Sequence, residues 1–227
     1  MTENASQPDR ARVIESPANP LIKVFRRALA EGTTRDGWLA VEGPLLVEEA
    51  LRAGERATVE SVLVSGEGLR RSQPLLDRLP QACEVTQIPD SLFRQIAQTE
   101  TPQGIAALVE LRATSLEAVL GARDALLIVA CGLQDPGNVG TILRSAQAFG
   151  ASALIALEAT VSPFNPKAAR ASAGAVFHVP VLMGERAESL FPRLRAAGVR
   201  VVGTDPHSPV RIADADLRGR LAILIGQ

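Results

Sequence analysis

Apolar and polar positions divide the chain into two arrays in which strand-length apolar runs alternate with helical periods. Residues 125–131 form an uninterrupted apolar run, the pattern of a strand covered on both faces. The period then changes: Val139, Ile142, Leu143, Ala146 and Phe149 fall on one helical stripe, with Thr141, Arg144 and Ala148 opposite it. Asn138 stands where an N-cap is expected, its side chain able to accept a first-turn N–H. Further strands are predicted over 153–157, 176–182, 199–203 and 221–225, and further helices over 167–173 and 186–197. Short connections between such elements imply a mostly parallel sheet with helices on both faces, and ligands at the carboxyl ends of its strands.

The first array reads similarly. Asn19-Pro20 opens a helix to about residue 30 with Lys23, Arg26 and Arg27 on its outer side, followed by a strand over 38–41 and a proline-led helix over 44–52. Strands near 59–64, 84–86 and 104–110 alternate with helices near 73–79 and 91–97. The expected organisation is a polar tail over 1–15, an α/β domain over 16–113, a linker over 114–123 and a second α/β domain over 124–227.

Composition narrows the function classes. A chain of 227 residues with 46% hydrophobic content has room for two ordinary domains. The net charge of -1 divides as -3 over residues 1–112 and +2 over the remainder, so nucleic acid could be held only by a local basic patch. Among 24 basic residues only Lys23 and Lys167 are lysines; arginine suits bidentate phosphate contacts, and genomic composition bias explains the same count. Cys83 and Cys131 lie in apolar, strand-like contexts without a Cys-x-x-Cys pair, as buried thiols of a reducing compartment do. His178 and His207 supply no metal constellation, so no metal is expected. Residues 1–10 are polar and no apolar run reaches membrane-spanning length, which points to the cytoplasm or an organelle matrix. Gly132, Gly137 and Gly140 are spaced wrongly for a dinucleotide fingerprint, and no Walker sequence occurs.

The turn between the 125–131 strand and its helix carries the most specific signal. Asn138, Gly140, Arg144 and Ala146 form Asn-x-Gly-x-x-x-Arg-x-Ala after Asp135-Pro136-Gly137. This resembles the first signature motif of the SpoU (TrmH-like) RNA 2'-O-ribose methyltransferases. Other stretches match in order. Ser16-Pro17-Ala18-Asn19-Pro20-Leu21-Ile22-Lys23, Val41-Glu42-Gly43-Pro44 with Glu48, Glu49 and Ala50, and Thr101-Pro102-Gln103-Gly104 resemble the substrate-binding domain that often precedes this catalytic domain. Asn165-Pro166-Lys167 leading into Ala171-Ser172-Ala173-Gly174 also fits.

The resemblance implies an N-terminal L30e-like domain and a C-terminal domain of the trefoil-knotted SPOUT type that dimerises and binds S-adenosylmethionine in its knot. It implies Arg144 and Asn138 as catalytic residues, and Gly203, Thr204, Leu224, Ile225 and Gly226 as cofactor-binding residues. RNA contacts are expected from Lys23, Arg26, Arg27, Lys167, Arg170 and Ser172. In this family the arginine is often proposed as a base; a guanidinium is protonated at neutral pH, so clamping phosphate and stabilising developing oxyanion charge is the simpler role. Asp205-Pro206 after Thr204 also reads as an ordinary proline-anchored turn. The family's second motif would continue beyond Ile225-Gly226, and its third would add a Ser/Asn-rich loop and a final helix. The chain ends at Gln227, so an incomplete knot and an open cofactor pocket are expected. Ribosomal RNA of the large subunit is the expected substrate, transfer RNA the second. A non-catalytic RNA-binding protein would share both domains, and a nicotinamide-dependent oxidoreductase the sheet pattern alone.

Overall fold

The computed structural model describes residues 11–226. The chain divides into two compact units, one up to Leu111 and one from Arg112.

In the first unit the elements are β1 (Ala11–Val13), α1 (Pro20–Glu31), β2 (Leu39–Glu42), α2 (Pro44–Arg52), β3 (Ala57–Ser65), α3 (Gly66–Leu76), β4 (Glu84–Ile88), α4 (Asp90–Ile96) and β5 (Ile105–Leu111). The five strands form a mixed sheet in the order β1-β4-β3-β5-β2, with β1, β4 and β3 parallel and β5 antiparallel to both β3 and β2. α1 begins as its sequence dictates: Asn19 Oδ1 accepts from Leu21 N at 2.9 Å, and Pro20 takes a position where no N–H is needed. Its inner face buries Ile22, Phe25 and Leu29 against Leu63, Phe93, Ile96 and Leu108. Its outer face leaves Lys23, Arg26 and Arg27 in water. Gly68 of α3 lies so close to Gly104 that a Cβ on Gly68 would stand 2.0 Å from the Gly104 carbonyl oxygen.

Two expectations change here. Residues 11–13 are a strand rather than part of a polar tail, and Ile14 beside them is 5% exposed, because the β4 edge accepts a parallel partner. Residues 1–10 of the expected tail lie outside the described residues. α3 also starts earlier than the apolar pattern suggested, since Ser65 caps it by accepting from Gly68 N at 3.1 Å.

The second unit contains α5 (Leu116–Leu120), β6 (Leu126–Cys131), α6 (Pro136–Ala148), β7 (Ala153–Leu157), α7 (Pro166–Ala171), α8 (Ala175–His178), β8 (Val181–Glu185), α9 (Ala187–Ala196), β9 (Arg200–Gly203) and β10 (Leu221–Gly226). Its sheet is wholly parallel, in the order β8-β7-β6-β10-β9. The chain builds outward from β6 through β7 to β8, crosses to β9, and inserts β10 between β9 and β6. Ligands of open parallel sheets sit outside the carboxyl ends of the strands where the strand order switches direction.

The stretch expected as a linker carries α5, whose Leu116 and Val119 are buried against Leu127, Leu190 and Leu194. Its polar flanks hid that small apolar face. Residues 176–178, the start of the strand expected over 176–182, lie in the helix α8, whose residues are all buried but His178. Gly174, at φ 96°, turns the chain between α7 and α8, and a short apolar run has no period long enough to separate the two conformations.

Candidate active site

Three loops meet at the carboxyl end of the parallel sheet. The loop after β6 is tied to the loop after β7: Gly132 N donates to Thr160 Oγ1 at 3.1 Å, Thr160 Oγ1 donates to the Ala130 carbonyl at 3.0 Å, and Val161 N donates to the Leu133 carbonyl at 2.8 Å. Gln134 Nε2 adds a hydrogen bond to the Ala159 carbonyl. This lattice of side-chain and main-chain bonds fixes the entry to α6.

α6 is capped by Asp135, whose Oδ1 accepts from Gly137 N at 2.8 Å; Pro136 follows in the first turn. Asn138, expected as the cap, therefore stands within the helix. Proline tolerates the first helical position and leaves the preceding aspartate to satisfy the free N–H. The Asp135 carboxylate also lies 3.6 Å from Lys167 Nζ, which links the start of α6 to the start of α7. α7 repeats the same entry: Asn165 Oδ1 accepts from Lys167 N at 2.9 Å ahead of Pro166.

Gly140 lets these two helices touch. A Cβ there would meet the Ala168 carbonyl oxygen and the Ala171 Cβ, each at 2.5 Å. Val139, Gly140, Leu143 and Ala146 are the buried face of α6. Ile142 is half-buried and Phe149, expected on the stripe, is 80% exposed at the helix end.

Asn138 and Arg144 are both exposed, and neither side chain makes a hydrogen bond or ion pair with a described residue. Six helical positions separate them, a rise of about 9 Å and a rotation of about 120°. They stand about a third of a turn apart around the helix and do not touch one another. Lys167 is exposed and Arg170 half-buried on α7.

Ser172 departs from expectation. It is 1% exposed, its hydroxyl donates to the Ala169 carbonyl at 2.7 Å, and it accepts from Val176 N at 3.4 Å. The turn from α7 to α8 consumes its hydrogen-bonding capacity, so it braces the helix pair instead of meeting a ligand.

The five residues expected to hold a cofactor lie together. Leu224 pairs with Gly203, Ile225 with Ala130 and Gly226 with Cys131, which puts the ends of β9, β10 and β6 side by side. Thr204 seals the β9 end, donating through its N–H at 3.0 Å and its hydroxyl at 2.9 Å to the Leu224 carbonyl. Gly203, Thr204 and Gly226 are exposed, while Leu224 and Ile225 are half-buried. Cys131 is half-buried at the end of β6, and burial pushes its thiol above its ordinary value. Apolar side chains beside exposed main-chain groups suit a ligand that is flat, polar at its edges and uncharged over most of its surface. Among the described residues no group of three His, Cys, Asp or Glu could hold a metal ion, and no helix is long and apolar enough to cross a membrane.

On α1, Lys23 and Arg26 carry no ion pair with a described residue, whereas Arg27 Nε lies 2.8 Å from Glu31. That pair is more than half exposed and contributes little. The apolar pattern could have revealed Asp135, because a Pro-led helix start asks for a cap one residue earlier. It could not reveal the loop bonds of Thr160, which join residues about 30 positions apart.

Comparison with known proteins agrees with this architecture. The SpoU rRNA methylase family matches residues 125–227, and the MRM3-like substrate-binding domain matches residues 19–107. A Bacillus subtilis 23S rRNA (guanosine(2553)-2'-O)-methyltransferase, RlmP, is 32% identical over 94% of this chain and 81% of its own length. Two solved structures with bound S-adenosylmethionine have the same fold. The rRNA methyltransferase of Sinorhizobium meliloti gives a TM-score of 0.78 at 26% identity over 95% of this chain and 80% of its own. The SpoU methyltransferase AviRb of Streptomyces viridochromogenes gives 0.77 at 27% identity over 92% and 80%. With its parallel sheet, its α6 motif and these relatives, the chain belongs to the SpoU rRNA methylase family.

Proposed function

We propose that this protein transfers a methyl group from S-adenosylmethionine to a ribose 2'-hydroxyl of RNA, with large-subunit ribosomal RNA as substrate and transfer RNA as the second candidate. The observation that carries the reading is the placement of α6, with Asn138 and Arg144 exposed along it, directly after the strand whose end adjoins that of β10, which in turn adjoins that of β9.

The residues at those strand ends fit the cofactor. Main-chain groups of Gly203, Thr204 and Gly226 offer donors and acceptors to an adenosyl edge, and Leu224 and Ile225 offer apolar contact. Bound there, S-adenosylmethionine supplies an electrophilic methyl group on a positively charged sulfur. Arg144 contributes a fixed positive charge to a phosphate beside the target ribose and to the oxygen as it gains negative charge. Asn138 orients the same nucleotide by hydrogen bonds. Holding hydroxyl and nucleotide in one geometry lowers the barrier by several kcal/mol through orientation alone, on the order of what tethered reactants achieve.

The unit from Arg112 acts as the methyltransferase domain and the unit up to Leu111 as the RNA-recognising domain. Lys23, Arg26 and Arg27 on α1, with Lys167 and Arg170 on α7, contact the phosphate backbone. The protein works in the cytoplasm as a homodimer.

Methyl transfer to ribosomal RNA from labelled cofactor tests the reading. Arg144→Ala should lower the single-turnover rate roughly 10²-fold or more at saturating RNA and cofactor, the scale for losing a group that stabilises transition-state charge. Its melting temperature should stay near the wild-type value, because the side chain is exposed. A rate within about threefold of wild type, far short of that scale, would return Arg144 to the status of a surface residue.

A further inference from the structure

A cleft of about 450 Å³ in the first unit lies between α2 and α3 and reaches Gln103 in the loop before β5. Its volume falls within the range of small-ligand sites, about 300–1,000 Å³. Pro44, Pro74 and Leu75 give it flat apolar walls. Ser72 lines it, 6% exposed as a residue, and its hydroxyl makes no hydrogen bond with a described residue, which leaves it open to a ligand in the cleft.

The rim is polar in a specific way. Glu48 Oε1 accepts from Arg52 at 2.8 Å and from Arg78 at 3.2 Å, whereas Oε2 has no partner among the described residues. Gln103 is exposed and brings both an amide donor and an amide acceptor. The arginines here are already balanced by carboxylates: Arg78 by Glu48 and Arg71 by Glu67. Bulk charge therefore does not select the ligand. Flat apolar walls with a hydroxyl, an amide and a free carboxylate oxygen select a planar group bearing donors and acceptors on its edge.

We infer that this cleft receives one unstacked nucleobase of a single-stranded segment of the RNA substrate. The inference rests on the reading of the first unit as the RNA-recognising domain. Sequence-specific RNA recognition works largely in this manner, on bases splayed from loops and bulges and bonded along their edges. Ser72 and Gln103 meet the base edge, and the free oxygen of Glu48 accepts from a ring or exocyclic N–H, which suits guanine best because its pairing edge carries both kinds of donor side by side.

The test uses the full chain and two synthetic RNA probes of equal length: a single-stranded oligonucleotide and an abasic strand with the same number of phosphates. Wild-type protein should bind the base-bearing strand more tightly. Gln103→Ala, an exposed substitution, and Ser72→Ala should each reduce that preference roughly three- to tenfold, the scale of one or two hydrogen bonds, and leave abasic affinity unchanged. Circular dichroism and thermal melts establish that both variants fold. An unaltered preference in the folded Gln103→Ala and Ser72→Ala proteins would overturn the cleft assignment while the RNA-binding reading stands. Equal binding of both probes by the wild type would do the same. Failure to bind either probe would overturn both.

Discussion

Asp90 serves two helices at once. It opens α4, and its Oδ1 accepts from Glu67 N at 2.9 Å in the first turn of α3. A hydrogen bond from Ser65, the Glu67 bond, and nearby Arg70 and Arg94 hold its carboxyl below the ordinary value of 3.8. A group whose folded value is depressed adds stability that is complete above its unfolded value and is lost as pH falls through the folded one. Asp90→Asn should therefore melt at a lower temperature than wild type near neutral pH, with the gap closing below about pH 4. Melting curves across that range decide it, and a gap constant with pH would assign Asp90 to packing alone. Arg220 shows the opposite arrangement, a cation whose guanidinium donates to the Leu120 and Ala197 carbonyls where α5 and α9 end. Positive charge there meets the negative end of both helix dipoles. Neither role is legible in the sequence, because each partner is brought in by the fold from 23 positions away or, for Leu120, 100.

Elements are legible in proportion to their period. α1, α2 and β7 follow the sequence pattern closely because each has a cap, a leading proline or a full strand of buried residues. α8 is misread because four residues, three of them apolar, have no period, and α5 because five residues between polar flanks are too few to show one. Asn138 and Asp135 show how a motif can be found and its local geometry misassigned: both residues can cap, and the position of Pro136 decides between them. Gly140 is the reverse case, a motif glycine whose reason appears only in the packing of α6 on α7. Gly140→Ala should cost about 1–3 kcal/mol by overpacking that contact, more than the roughly 1 kcal/mol that alanine gains over glycine in a helix. Denaturant unfolding measures the balance. A variant as stable as wild type would mean that the helices separate at little cost, and the account of Gly140 would fail. Because α7 carries Lys167 and Arg170, the same substitution should weaken methyl transfer even where the protein stays folded.

At the scale of the molecule, each unit has a core of its own. Residues 1–111 produced alone should unfold in one cooperative transition, as small domains with a single core do. Thermal and urea denaturation followed by two probes test this, and noncoincident curves would show that the isolated unit does not unfold in one step. Function was the most legible property of all, since the motif residues lie in order along the chain; strand order was the least, since apolar alternation carries no record of which strand sits beside which. The second sheet gives that order a consequence for biosynthesis. β10, residues 221–226, occupies the slot between β6 and β9. Until those residues leave the ribosome, the nascent chain carries two unsatisfied strand edges flanking an apolar gap, and no local contact made earlier can fill it. Closing a loop of about 90 residues before that pairing is rewarded makes this the slow step of folding. The second unit therefore stays open to chaperones and to aggregation until β10 has been made.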